Sequence, residues 1–307
     1  MTSRKPILVT GSHRSGSTWV GKMIAKSASV SYIHEPFNGM CRPGICSAKF
    51  PYTFMYITEE NESNFYEPIK KAIAYQYDIS AEMQKIRTFR DIARLLRDYL
   101  ICSKNSAFGV TPLIKDPMAI LSSEWLANKF DMNVLILIRH PAAFISSCKQ
   151  LGWGFDFLHF LKQPLLMRDY LYPFETEIFN NASQNTDLID KCILLWKSLY
   201  YVVIQYQKKY PDWTFYRYED LCKYPLEGFN RIFQKFELDF SPDIKNLIQE
   251  YTDSSNKKGN DLGIHSIKRD SISQVQIWKE RLTKSEIEYI RVNVEDISKY
   301  FYSDSDW

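Results

Sequence analysis

The sequence predicts a three-layer α/β/α fold: a single domain over 1–307 with a central five-stranded parallel sheet and a helical C-terminal portion. Short apolar runs rich in β-formers are continuous rather than alternating, as in strands buried on both faces. Helical patterns fall between successive runs, the order that builds right-handed parallel crossovers. No linker, internal repeat or low-complexity stretch interrupts the chain, and 307 residues suffice for one large core.

The first strand is expected at Pro6–Thr10 (PILVT), with a helix over Ser17–Ala28 and a second strand at Val30–Ile33. Phe65–Cys102 reads as two helices, one opening at Thr88 with Asp91 three residues on. A third strand at Val110–Lys115 precedes a helix over Ala119–Phe130. A fourth at Asn133–Ile138 (NVLILI) precedes a helix over Ala142–Leu151. A long helix, Leu188–Lys209, stops before Pro211, and the fifth strand is Trp213–Tyr218. The core sheet therefore spans about 6–220, and 221–307 is mostly helical. There Ser241-Pro242 reads as an N-cap with a first-turn proline, and Thr283 with Glu286 as a capping box. Between them, 252–270 is polar and holds Gly259 and Gly263.

Composition narrows the function classes. The net charge is only +3, with no run of five or six basic residues, which argues against a nucleic-acid partner. No apolar stretch is long enough for a signal peptide or a membrane span. The six cysteines form no C-x-x-C and read as free thiols of a reducing compartment, so a cytoplasmic location is expected. The five histidines show no ligand pairing, so no metal is expected. Nothing indicates the oligomeric state.

The first motif is Gly11-Ser12-His13-Arg14-Ser15-Gly16-Ser17-Thr18, a P-loop-like turn between a strand and a helix. In that setting loop amides and the helix dipole point at an anion, and glycines let the backbone approach it closely. The spacing imitates a Walker A loop, but Ser17 stands where the Walker lysine would be. Arg14 supplies a cation three residues earlier, which suits a phosphate–sulfate anhydride better than a magnesium triphosphate. The alternative is a tight turn with no ligand.

The sequence here resembles the family of sulfotransferases that use 3'-phosphoadenosine-5'-phosphosulfate (PAPS) and release 3'-phosphoadenosine-5'-phosphate (PAP), its soluble carbohydrate-type and bacterial-type members in particular. Ser12 to Trp19 is similar to that family's 5'-phosphosulfate loop. The resemblance implies that Arg14 sits at the phosphosulfate bridge, that Ser15, Gly16, Ser17 and Thr18 hold the 5'-phosphate, and that Trp19 packs on the adenine. Val134 to Ser147 resembles the 3'-phosphate element, a strand ending in Arg139 with Ser147 eight residues later. A fixed guanidinium binds phosphate bidentately and a hydroxyl completes its shell; taken singly, Arg139 reads equally as a structural ion pair. Tyr216 to Leu221 resembles a later core segment, and the stretch from Lys268 and Arg269 to Trp278-Lys279 resembles a basic loop that closes over the nucleotide.

Ligands of a parallel α/β sheet collect at the carboxyl ends of the strands. Those ends carry His34-Glu35-Pro36, Lys115-Asp116-Pro117, Arg139-His140 and Glu219-Asp220. Sulfuryl transfer needs a base for the acceptor hydroxyl, charge stabilisation and in-line geometry. Glu35 is the expected base, because the His-Glu-Pro setting resembles the Glu-Pro of carbohydrate-type members; a helix cap or an arginine partner is its other reading. The phenol and steroid branch has Lys-x-His on the third strand, and here Pro117 holds the histidine position. Asp116 is the reserve base or a cap, and Lys115 is the expected cation on the sulfuryl oxygens. Aromatic residues from Trp153 to Phe179 form an acceptor wall or simply pack helices. The Glu-Pro pair tilts the expected acceptor toward a sugar or other alkyl alcohol. Two rival classes remain at this stage, a P-loop kinase or NTPase and a non-catalytic binder of nucleotides or sulfated glycans.

Overall fold

The computed structural model describes residues 5–184, 186–253 and 275–307. Its strands are β1 (Ile7–Gly11), β2 (Val30–His34), β3 (Thr111–Lys115), β4 (Asn133–Ile138) and β5 (Thr214–Arg217). They form one sheet in the order β2-β3-β1-β4-β5. Neighbours distant in sequence require crossovers, and helices fill them. The five-stranded parallel α/β architecture expected from the sequence is present. The chain divides into two compact units, Met1–Thr10 with Val20–Leu135, and Gly11–Trp19 with Ile136–Trp307.

In the first unit β1, β2 and β3 pair in parallel, with Val9 and His34 both opposite Lys115. β1 and β3 are buried along their whole length; the apolar runs 7–9 and 112–114 fit strands covered on both faces, and Thr111 and Lys115 at the ends of β3 are buried with them. Pro112 sits in β3 at no cost to the ladder. The Thr111 amide bonds Ser29 on the β2 side and the Asp116 amide bonds Val9 on the β1 side. Amides alternate along a strand, so the donor that Pro112 lacks would face the stretch before β1 begins.

Helix α1 (Ser17–Ile24) follows β1 in sequence. Where two helices were expected after Phe65 there are three: α2 (Tyr66–Ile73), α3 (Ile79–Met83) and α4 (Phe89–Ala107). The extra one starts because the Asp78 carboxylate caps the Ala81 amide at 2.9 Å. α4 opens at Thr88 as read, and Thr88 and Asp91 form a capping box: Asp91 N–H donates to Thr88 at 3.3 Å, and Thr88 N–H to Asp91 at 2.9 Å. The helix expected from Ala119 opens instead as a 3₁₀ turn over Pro117–Ser122 and becomes α5 only at Ser123–Phe130.

In the second unit α6 (Pro141–Leu151) is buried from Pro141 to Cys148. The short helices α7 (Leu158–Leu161), α8 (Pro164–Leu166) and α9 (Glu175–Ser183) lead to α10 (Leu188–Lys209), which has the bounds read from sequence. Helices α11 (Tyr218–Lys223), α12 (Pro225–Lys235), α13 (Pro242–Thr252), α14 (Trp278–Arg281) and α15 (Lys284–Ser298) follow. α6, α10 and α15 pack on one another. α6 is apolar almost all round, which fits a helix enclosed by others. The aromatic stretch is split: Phe157, Phe160 and Phe174 pack inward with Leu166 and Leu171, Phe155 and Tyr170 are half-buried, and Trp153, Tyr172 and Phe179 are exposed. Among the described residues no helix is long and apolar enough to cross a membrane.

Candidate active site

The glycine-rich loop belongs to the second unit, together with the Arg139 element. Gly16 has φ +88°, and a Cβ there would lie 2.3 Å from the Tyr218 ring. Gly11 has φ +151°, and its Cβ would meet the Leu137 carbonyl at 2.5 Å. Only glycine fits both positions. Arg14 itself is left-handed, at φ +64°. The turn closes with Ser15 N–H donating to the Ser12 carbonyl at 3.2 Å, and α1 begins at Ser17. The loop therefore ends on a helix N-terminus, where amides and dipole attract an anion. Ser15 Oγ is buried with no hydrogen-bond partner among the described residues. An orphaned hydroxyl inside a glycine cradle fits a phosphate oxygen as its missing partner.

The two motifs expected to bind phosphate meet. Arg14 Nε donates to Ser147 Oγ at 2.9 Å, across 133 residues of sequence. Arg139 is buried, with its guanidinium 4.0 Å from the centre of the Tyr218 ring and its Nε 3.6 Å from Glu219 Oε1. Glu219 is held in turn, accepting the His140 amide at 3.1 Å and the Tyr302 hydroxyl at 2.9 Å. Trp19 is buried edge-on to Tyr218 and to Phe229, with centroids 5.9 and 5.3 Å away. Its indole Nε1 has no hydrogen-bond partner among the described residues.

Two positioning residues were not foreseen. Tyr200 on α10 hydrogen-bonds Ser12 Oγ at 3.0 Å and accepts the Arg139 amide at 2.9 Å, tying the loop to the end of β4. Tyr218 supplies the shelf under Arg139 and fills the space behind Gly16. A mid-helix tyrosine reads as core by its spacing, so only the fold exposes the role of Tyr200. His13 is packed against Phe144 (4.9 Å between centroids), and burial followed by the Arg14 charge lowers its pKa to about 4. Beside Arg139, a cavity of about 380 Å³ is lined by His140, Arg217, Glu219, Lys223, Trp278 and Lys279, among others. Lys268 and Arg269 lie outside the described residues.

The first unit holds the acid–base candidates. Register places His34 opposite Lys115, so Glu35 and Asp116 follow at the same strand ends. Glu35 is left-handed at φ +46°, and its amide donates to the Lys115 carbonyl at 2.9 Å. This turn directs its carboxylate onto the Lys115 ammonium, with which it pairs. The other carboxylate oxygen accepts Asn38 Nδ2 at 2.9 Å. Lys115 is only 1% exposed, unlike the solvated lysine that usually ends a strand. Burial alone would raise the Glu35 pKa; the Lys115 and Asn38 donors and the nearby charges outweigh it and hold the carboxyl below its usual value.

Asp116 is fully buried, and burial pushes its pKa up to about 7. Its two oxygens accept the Phe37 amide at 2.6 Å and the Met118 amide at 2.8 Å. Both are spent on backbone donors, so Asp116 fixes the turns that follow β2 and β3. Among the described residues no group of three or more His, Cys, Asp or Glu side chains is placed to hold a metal.

Several solved structures are similar in architecture. The sulfotransferase domain from the curacin biosynthetic pathway shares 15% identity over 95% of this chain and 99% of its own, with a TM-score of 0.48. The sulfotransferase domain of the Synechococcus PCC 7002 olefin synthase shares 12% over 99% and 98%, with a TM-score of 0.48. Sulfotransferase STF9 from Mycobacterium avium shares 11% over 98% and 78%, with a TM-score of 0.49. No curated protein matches the sequence. A family profile described as the sulfotransferase family matches residues 6–242, from the start of β1 to the start of α13. That span takes in the loop, the Arg139 element and the Glu35–Lys115 pair, and the chain belongs to the sulfotransferase family.

Proposed function

We propose that this sulfotransferase takes its sulfuryl group from PAPS and passes it to a sugar or other alkyl hydroxyl, releasing PAP. The observation that carries the donor assignment is the Arg14–Ser147 hydrogen bond of 2.9 Å, which joins two anion-binding motifs of different chain regions. One motif suits the 5'-phosphosulfate and the other the 3'-phosphate, and only a ligand with both ends needs both. Arg14, Ser15, Gly16, Ser17 and Thr18 take the 5' end, Arg139 and Ser147 the 3'-phosphate, and Trp19 the adenine.

In the reaction, Glu35 accepts the proton of the acceptor hydroxyl as its oxygen attacks sulfur. The bond from sulfur to the 5'-phosphate oxygen breaks, and that phosphate leaves with the electron pair. Lys115 and Arg14 balance charge on the sulfuryl and phosphate oxygens. Transfer is direct and in line, without a covalent enzyme intermediate. The Lys115 and Asn38 contacts support the role of Glu35, because they hold its carboxylate ionised and fixed in one orientation. Six free thiols support a cytoplasmic setting.

Calorimetric titration with PAP, and separately with ATP and magnesium, tests the donor. Micromolar PAP binding is expected, weakened about a hundredfold by Arg139→Ala. Tight ATP binding with none for PAP would return the loop to the kinase class.

A further inference from the structure

α4 has an unusual surface. Of its residues only Leu95 and Asp98 are buried. Its apolar side chains face outward instead: Phe89 is 91% exposed, Leu96 54% and Leu100 64%, with Ile92 and Tyr99 also exposed. Positions 89, 92, 96, 99 and 100 follow the three-and-four spacing of one helical stripe. Met83 at the end of α3 and Phe108 at the C-cap of α4 are exposed as well.

Charge flanks this stripe. Arg90, Arg97 and Lys104 recur every seven residues, so they form one row beside it, and all three are exposed. Arg94 lies on the same side, and Lys85 and Arg87 precede the helix. The two acidic residues of α4 balance part of this charge. Asp91 closes the N-terminal capping box and pairs with Arg94 at 3.5 Å, and Asp98 is buried against Arg42 and takes the largely exposed Arg97 at 2.8 Å, which leaves Arg90 and Lys104 as the outward cations of the row. The outward face is therefore apolar along its centre and cationic along its edge.

We propose that α4 is a docking helix that lies on an anionic lipid surface, with Phe89, Ile92, Leu96 and Leu100 entering the headgroup boundary and Arg90 and Lys104 meeting lipid phosphates. Charge complementarity selects this occupant. A second copy docked antiparallel, face to face, would set one cationic row against another, a parallel copy would leave each row unpaired at the edge, and an uncharged apolar partner would desolvate the row without pairing it. An anionic bilayer matches both parts of the face, as for amphipathic helices that bind in the interface plane. The inward anchors of α4 are separate from that face: Asp98 pairs with Arg42, and Asn105 donates to Ser31 Oγ at 2.7 Å. Substitutions on the stripe therefore leave the fold in place.

The test is flotation of the full chain with vesicles of phosphatidylcholine alone and of phosphatidylcholine mixed with phosphatidylglycerol. Expected is binding to the mixed vesicles only, released by high salt. Phe89→Glu with Leu96→Glu should lower partitioning more than about tenfold, with far-UV circular dichroism and PAP affinity unchanged. Arg90→Ala with Lys104→Ala should lower it about twenty-fold. The proposal is overturned if the wild-type chain does not float with the mixed vesicles, or if the stripe variant floats as well as wild type. It is equally overturned if the chain sediments as a dimer that Leu96→Glu dissociates, which would make a second copy the occupant.

Discussion

The glycine loop and the strand-end pair handle polarity in opposite ways. Around Gly11–Trp19, hydrogen-bonding capacity is left over: Ser15 Oγ and Trp19 Nε1 are buried without hydrogen-bond partners among the described residues. At the ends of β2 and β3 the carboxylates are already engaged: Glu35 holds Lys115 and Asn38, and Asp116 holds two backbone amides. A buried donor without an acceptor is costly unless a ligand completes it. A closed ion pair is ready before any ligand arrives. The loop should therefore report on binding, and the pair on turnover and on pH.

Glu35→Gln should show the largest split between the two regions. Its amide keeps the shape of the side chain but cannot accept the hydroxyl proton. Turnover should fall by about 10² to 10⁴, while PAP affinity stays within about twofold. Equal losses in both would make Glu35 a structural residue and break the contrast.

Lys115→Met comes next. It strips the Glu35 carboxylate of its cation in a mostly buried setting, with an expected loss of about 2–3 kcal/mol in urea unfolding. The sign of the pH effect follows from the causes. Glu35 is depressed by its Lys115 and Asn38 donors and by nearby charge, against burial. A depressed carboxyl adds stability above its unfolded pKa and loses it as pH falls through the folded one. Without Lys115, burial dominates and the carboxyl pKa rises. The acidic limb of the turnover profile should then move to higher pH; an unmoved limb would detach Lys115 from the base.

The fold was far more legible in the sequence than the site. Leu188–Lys209 was readable because its apolar period is long and Pro211 ends it. The loop was readable because Gly11 and Gly16 occupy backbone conformations that other residues adopt only with strain. Burial of Lys115 was not, since a strand-end lysine looks solvated until the registers of β1 and β2 enclose it. Nor was the third helix after Phe65, which depends on one side-chain cap at Asp78.

Gly16→Ala carries the contrast into the loop. The added Cβ would press on the Tyr218 ring, on which Arg139 rests. Left-handed strain of about 1–2 kcal/mol adds to that clash. PAP affinity should drop about tenfold to a hundredfold by calorimetry, against a smaller change in turnover at saturating donor. Full affinity in the alanine variant would show that the shelf under Arg139 is irrelevant to nucleotide binding.

Ser15→Ala has the smallest expected effect and the sharpest sign. In the ligand-free protein Ser15 Oγ is buried and unsatisfied among the described residues, so deleting it removes a desolvation cost. The variant should unfold at an equal or slightly higher temperature, by an amount worth up to about 1 kcal/mol. With PAP bound, the same hydroxyl would donate to a phosphate oxygen, and its loss should weaken affinity about five- to twentyfold. Stability and affinity therefore move in opposite directions for one atom. A variant that loses stability without losing affinity would mean that the hydroxyl serves the turn, and the loop would join the strand-end pair as a region already complete without its ligand.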